Sequence, residues 1–281
     1  MSEHTPIFIL TSPRSYSSVI SSMIGQHPEL LGLPEIELFL SLNIKDLLEK
    51  GNVHGNELHG DLRAIAFLFF GSQSEKDIVG ARKFMGKFRE KTSLGLFNII
   101  QEKAFPKRVV TKCPKYSSDI KYLNRLPKNS FFIHLIRHPQ THIESCKKLL
   151  RFANLLNTSV PDLRSFENWM RDQKNIITFL KDIPNGRKIT LKAESVIQDP
   201  KGSMKSLCHF LNIDSSIECV EKMLHPENSP FATLGNEGAM FGNDPLFLTK
   251  PALRFDKKII ASSLENVPPE VAEFARSLGY N

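Results

Sequence analysis

At 281 residues, 41% hydrophobic and 24% charged, the chain has the composition of an ordinary globular protein, long enough to bury a sizeable core. Its longest apolar stretch, residues 64–70, is far too short to cross a bilayer, and the start MSEHTPIF lacks a signal peptide's basic and apolar regions, so a cytoplasmic protein without a membrane span is expected. A formal charge of +7 favours an anionic partner, yet the basic residues are dispersed rather than gathered into an arm, which argues against nucleic acid.

In chain order, residues 6–10 read as a strand buried on both faces, followed by a helix over 16–26. Helical spacing recurs over 36–49, 60–70, 75–90 and 93–104, a mostly helical insertion (about 36–104) before the next β-rich run, 108–111. A helix over 116–125 leads to the third strand, 131–136, then helices over 139–151 and 161–182, and a fourth strand, 188–191. Helices over 200–211 and 216–224 precede a stretch rich in Gly, Pro and Asn, about 225–254, whose Phe231, Phe241 and Phe247 favour an ordered lid; a last helix spans 269–279. Strands alternating with helices imply an α/β fold in three layers around a central parallel sheet with right-handed crossovers. Cys113, Cys146, Cys208 and Cys219 are scattered, as reduced thiols are, and give neither a disulfide framework nor a metal site.

The first strand ends in TSPRSYSS, where Arg14, Ser15, Ser17 and Ser18 stand at the start of a helix. Unpaired amides and the helix dipole make that junction a favoured seat for phosphate or sulfate, although a capping serine cluster with a solvated arginine is the plainer reading. A nucleoside-triphosphatase loop is excluded, since no glycine and no terminal Gly-Lys pair are present in it. The third strand repeats the grammar: Arg137 follows it, Pro139 opens a helix, and Ser145 comes eight residues after Arg137. Two such sites at strand ends fit a ligand with two separated phosphate groups.

Here the resemblance becomes specific. TSPRSYSS resembles the 5′-phosphosulfate loop of the sulfotransferases, S-P-R-S-G-S-T, and RHPQTHIES their 3′-phosphate motif. VVTKCPKY is similar to their K-T-P-x-Y segment, and KAESVIQDPKGSMKSLCHFLNI to their Y-E-D-L…D-P…L…F-L-G-I stretch, in order over residues 5–213. The resemblance implies one sulfotransferase domain over 1–281 with a P-loop-like fold. It would bind 3′-phosphoadenosine 5′-phosphosulfate (PAPS) without a metal and release the desulfated nucleotide, PAP. By that carry-over Arg14, Ser15, Ser17 and Ser18 hold the 5′ end, Arg137 and Ser145 the 3′-phosphate. Tyr16 stands where the family usually has glycine, and Ser18 where it has threonine. Tyr16 crowds the loop or forces it to a new path, or else it stacks on the ligand or marks a non-catalytic PAP-binding relative.

Sulfuryl transfer needs an in-line acceptor oxygen, a base and positive charge at the leaving phosphate. Arg14 and Lys112 are candidates for the charge, with a solvated Lys112 as the alternative. For the base, Glu35 and Glu37 in LPEIELFL lie in the family's substrate-facing segment, and His225 opens the lid; either carboxylate equally suits a helix start, and the histidine a structural bond. His134 reads as core, His138 as a cap, and His4, His27, His54, His59, His142 and His209 have no identifiable partner. The tail HPENSPF…GNDPLFL is similar to sulfotransferase domains of bacterial polyketide assembly lines, although Glu37 stands where those tend to have histidine. That implies a small-molecule or carrier-protein-bound hydroxylated substrate, apolar or acyl-chain, in a pocket lined by Phe67, Phe69, Phe70, Phe231 and Phe241. A sugar or lipid hydroxyl is the alternative, and the sequence leaves the oligomeric state open.

Overall fold

In the computed structural model, which describes residues 5–54, 58–155, 165–253 and 263–281, β1 (Ile7–Leu10) is the middle strand of five. Its neighbours are β3 (Arg108–Lys112) and β4 (Phe131–Ile136), with β2 (Leu30–Glu35) and β5 (Lys188–Lys192) at the edges, all parallel, in the order β2-β3-β1-β4-β5. Alternate side chains leave opposite faces of a strand. Phe8 and Leu10 therefore enter one core, with Phe39, Phe97 and Phe132, while Ile7 and Ile9 enter the other, with Ile20, Met23 and Ile133. This is the α/β architecture expected, covered by helices on both faces.

The helices follow most of the periodic segments, but the one expected over 116–125 is a 3₁₀ turn, Pro114–Ser118, and a four-residue helix, and the one over 60–70 ends in a π turn, Ala66–Phe70. They are α1 (Ser17–Ile24), α2 (Ile44–His54), α3 (His59–Ile65), α4 (Glu75–Lys87), α5 (Ser93–Ala104), α6 (Ile120–Leu123), α7 (Pro139–Leu155) and α8 (Phe166–Leu180). Past β5 come α9 (Ala193–Gln198), α10 (Pro200–Leu211), α11 (Ile217–Met223), α12 (Pro245–Thr249) and α13 (Pro269–Ser277). The expected helix over 161–182 starts at Phe166, its first residues lying outside the described ones, as do His4 and residue 254 of the lid. No described helix is long and apolar enough to cross a membrane.

Three local readings need correction. First, β2 goes unread in the sequence because LLGLPE holds a glycine and a proline. An edge strand tolerates both: the ladder slips between Gly32 and Glu35, and the Pro34 carbonyl accepts from Thr111. Second, the helix expected over 36–49 is broken into a 3₁₀ turn, Leu38–Leu40, and α2, because Asn43 Oδ1 accepts from the Asp46 amide at 2.8 Å and restarts the chain. Third, the region over 225–254 is not one loop. It contains short helical turns, Pro226–Asn228 and Glu237–Ala239, and α12, with Phe231 and Phe247 buried in the two cores.

Gly25 and Gly32 set how closely α1 lies on β2. A Cβ built on Gly25 would stand 2.4 Å from the Gly32 Cα, a backbone atom that has no room to yield. We expect Gly25→Ala to push α1 off the sheet at a cost of about 1–3 kcal/mol, read from urea unfolding, with Gly86→Ala, which meets nothing, as the neutral control.

Candidate functional site

β1 and β4 are paired, so the loops leaving their C-terminal ends lie side by side. Arg14 and Tyr16 both take a left-handed conformation, φ 63°, a region that favours glycine. Tyr16 is thus the residue before α1, and its left-handed turn sends the phenol ring outward, where it lies 4.5 Å from the Arg137 guanidinium carbon. The side chain does not plug the loop. It stacks on the second arginine, at a cost in backbone strain of about 1–2 kcal/mol set against a cation–π contact worth about 0.5–2.

Arg137 is buried. Its Nε donates to Thr141 Oγ1 at 3.0 Å and its Nη1 to the Arg14 carbonyl at 2.7 Å, and burial lowers its pKa below the usual guanidinium value without discharging it. The carbonyl of Arg137 accepts from the Trp169 indole at 3.1 Å, and the next amide, of His138, donates to Glu194 at 2.8 Å. Arg14 reaches across to α7, where its Nε donates to Ser145 Oγ at 3.3 Å. The two anion sites read separately from the sequence are therefore one cleft of about 200 Å³, lined by Arg14, Tyr16, Ser18, Arg137, Ser145 and Lys148 among others. Ser15, Ser17 and Ser18 are buried at its edge, with α1 opening at Ser17. Each charge-assisted hydrogen bond to an anion there is worth about 1.5–3 kcal/mol and the helix dipole about 0.3–1.

One carboxylate occupies part of that cleft. Asp244 Oδ1 lies 2.5 Å from Arg14 Nη1, and the Asp244 amide donates to Ser18 Oγ at 2.9 Å. The lid thus closes directly onto the loop. It is fastened by Arg63 of α3, fully buried, whose guanidinium donates to the Thr233 and Phe241 carbonyls at 2.9 and 2.8 Å and to Gln73 at 2.5 Å. Burial pulls the Arg63 pKa down to about 10. Lower on the same lid, Gly242 crosses the N-terminus of α3 against Gly60, and its carbonyl accepts from the Glu35 amide at 2.6 Å.

Lys112 is not solvated: it ends β3 fully buried, 2.5 Å from Glu35 Oε1. Glu37 pairs with Lys115 at 2.7 Å, and its amide donates to Asp61 Oδ2 at 3.0 Å. Asp61 is wholly enclosed and its Oδ1 has no hydrogen-bond partner; burial first, and the neighbouring Glu37 charge second, raise its pKa well above the carboxylate range. Glu35, Glu37, Lys112 and Lys115 thus form one charged rim where β2 and β3 end. Phe67 meets Phe231 at 5.3 Å, joining insertion to lid, whereas Phe69 pairs with Phe84 and Phe70 is exposed.

His225 does not join this group. It borders Gln26, beyond the C-terminal end of α1, whereas the anion cleft is at the N-terminal end of that helix, and it is half exposed and paired with Glu227 at 2.8 Å. The lid begins there, but only its later part, from Phe231 onward, returns to the cleft. His134 is core, as expected, and bonds Gln173 at 2.7 Å; His27 and His59 do have partners, the Asp214 carbonyl and the Phe241 amide. The sequence reading missed Arg63, Asp61, Lys115 and Asp244. Only Asp244 carried a signal, the Asp-Pro pair that caps α12. Removing the Arg63 clamp with Arg63→Met should leave the sheet intact but free the lid, seen as cleavage by chymotrypsin at Phe241 or Phe247 under conditions where wild type is resistant.

A profile of the sulfotransferase family matches residues 6–216. Among solved structures the chain is similar to a sulfotransferase domain from the curacin biosynthetic pathway, at 24% identity over 99% of this chain and 98% of that one, TM-score 0.79. It is also similar to the sulfotransferase domain of the Synechococcus PCC 7002 olefin synthase, at 22% identity over 100% and 98%, TM-score 0.78. No curated protein matches it.

Proposed function

The chain belongs to the sulfotransferase family, whose members depend on PAPS, and from this we propose that it moves the sulfuryl group of PAPS to a hydroxyl of an apolar or acyl-chain small molecule, releasing PAP. One observation carries the reading: Arg14, Arg137 and Ser145 converge with the start of α1 on one cleft. The donor set suits the cofactor. A left-handed turn presents the first amides of α1, two guanidinium groups share the cleft, and the helix dipole adds to them. PAPS would supply an activated sulfuryl group on a phosphate leaving group. Arg14, Ser15, Ser17 and Ser18 would hold its 5′ end, with Tyr16 near the nucleotide, and Arg137 and Ser145 would hold the 3′-phosphate. Arg14 would have to release the Asp244 carboxylate to take that 5′ end.

Lys112 is opposite Ile9 in the β1–β3 register, so it ends β3 beside the strand that feeds the loop, and we assign it the positive charge that would assist the leaving oxygen. We assign Glu35 as the base that takes the acceptor proton. It holds Lys112, and its own amide is tied to the lid segment that leads to Asp244. Glu37, two residues on and paired with Lys115, is the second candidate. The acyl-chain acceptor rests on the likeness in fold to the curacin and olefin synthase domains, and on the aromatic contact of Phe67 with Phe231.

Calorimetric titration with PAP tests the cleft: wild type should bind, and Arg137→Ala should weaken binding by about 100-fold or more, because a phosphate loses its paired cation. No binding, or ATP turnover requiring magnesium, would replace the reading. Turnover of PAPS against a panel of alcohols separates an enzyme from a binder. Glu35→Gln should then lower kcat by about 10²–10⁴-fold with PAP affinity nearly kept, while His225→Ala changes little; the reverse pattern would return the base to the histidine.

A further inference from the structure

Behind the phosphosulfate loop lies a buried polar chain that the chemistry above does not use. His134, in the middle of the otherwise apolar β4, and Gln173, inside α8, are 2% and 0% exposed. His134 Nε2 meets Gln173 Oε1 at 2.7 Å, Gln173 Nε2 donates to Ser12 Oγ at 3.1 Å, and Ser12 Oγ lies 3.2 Å from Ser15 Oγ. We infer that His134 and Gln173 are positioning residues for the 5′ end of the cofactor site, fixing the direction in which the Ser12 and Ser15 hydroxyls donate. The inference rests on the sulfotransferase reading.

The argument is one of polarity. A carboxamide has a donor end and an acceptor end, so it passes a preferred sense of donation from one neighbour to the next. With the ring proton on His134 Nε2, Gln173 accepts at Oε1 and must donate at Nε2. Ser12 then accepts from it and gives its own proton to Ser15, and the proton of Ser15 is left to point away from the chain, toward the loop. Burial brings the His134 pKa down to about 4, so near neutral pH the ring carries one proton and offers one donor. The loop backbone is fastened separately: the Thr11 carbonyl accepts from Ser117 Oγ at 2.6 Å, and Thr11 Oγ1 donates to the Ser12 carbonyl at 3.1 Å. What the His134–Gln173 pair adds is the orientation of hydroxyls. A histidine and a glutamine placed in an apolar core for packing alone would cost desolvation that leucine or methionine would avoid.

The test compares PAP with adenosine 3′-monophosphate, which lacks the 5′ group, on the full chain. Gln173→Leu and Ser15→Ala should each weaken PAP by about tenfold, the worth of one charge-assisted bond, and leave adenosine 3′-monophosphate unchanged. The double variant should lose no more than either single one, since both cut the same chain. Equal weakening of both nucleotides, additive losses, or PAP binding untouched by Gln173→Leu would overturn the inference alone. Failure of wild type to bind PAP would instead overturn the sulfotransferase reading. Independently of any variant, imidazole nitrogen NMR of wild type should show His134 protonated on Nε2 from about pH 8 down to about pH 5, without titration; a proton on Nδ1 would reverse every link and refute it.

Discussion

Two buried guanidinium groups held within one cleft are the constraint around which this molecule is arranged. Arg137 donates to the backbone of Arg14, so the two cations are fixed to each other although their charges repel. Such an arrangement is stable only where anions or acceptors surround it. The protein provides them: Thr141, the Arg14 carbonyl and the Tyr16 ring on Arg137, Ser145 on Arg14, and the Asp244 carboxylate that comes in with the lid. The cleft is thus satisfied by its own chain.

Strand order explains why the arginines meet at all. Because β1 and β4 are neighbours and parallel, both loops emerge at the same edge of the sheet, and α1 begins between them. β3 lies on the other flank of β1 and brings Lys112 to the same edge, and β2 brings Glu35 next to it. The lid then spans from β2 to the loop, held by Arg63 from beneath. Chemistry and closure are linked through a few backbone contacts, with Gly242 crossing Gly60 at the narrowest of them.

Much of this was legible in the residues. Apolar strands with helical intervals gave the parallel sheet, and Arg14, Arg137 and Ser145 stood out because each follows a strand at a motif's spacing. The rest depended on tertiary contacts that leave little local trace. β2 hides behind Gly32 and Pro34, which are acceptable only at an edge. Tyr16 looked like an obstruction because its sequence position says glycine and says nothing of the outward ring. His225 looked near the site because it opens the lid, yet the chain needs the length from His225 to Phe231 to travel back along α1. Arg63 carries no motif: a lone arginine in a helix reads as surface until the carbonyls it binds, some 170 residues later, are seen.

The chain contains a single tryptophan, and it is the one whose indole is bonded to the carbonyl of Arg137. Indole emission therefore originates beside the backbone of the residue proposed to hold the 3′-phosphate. The protein carries its own optical label, and site occupancy can be followed by unmodified fluorescence without a dye or a fusion.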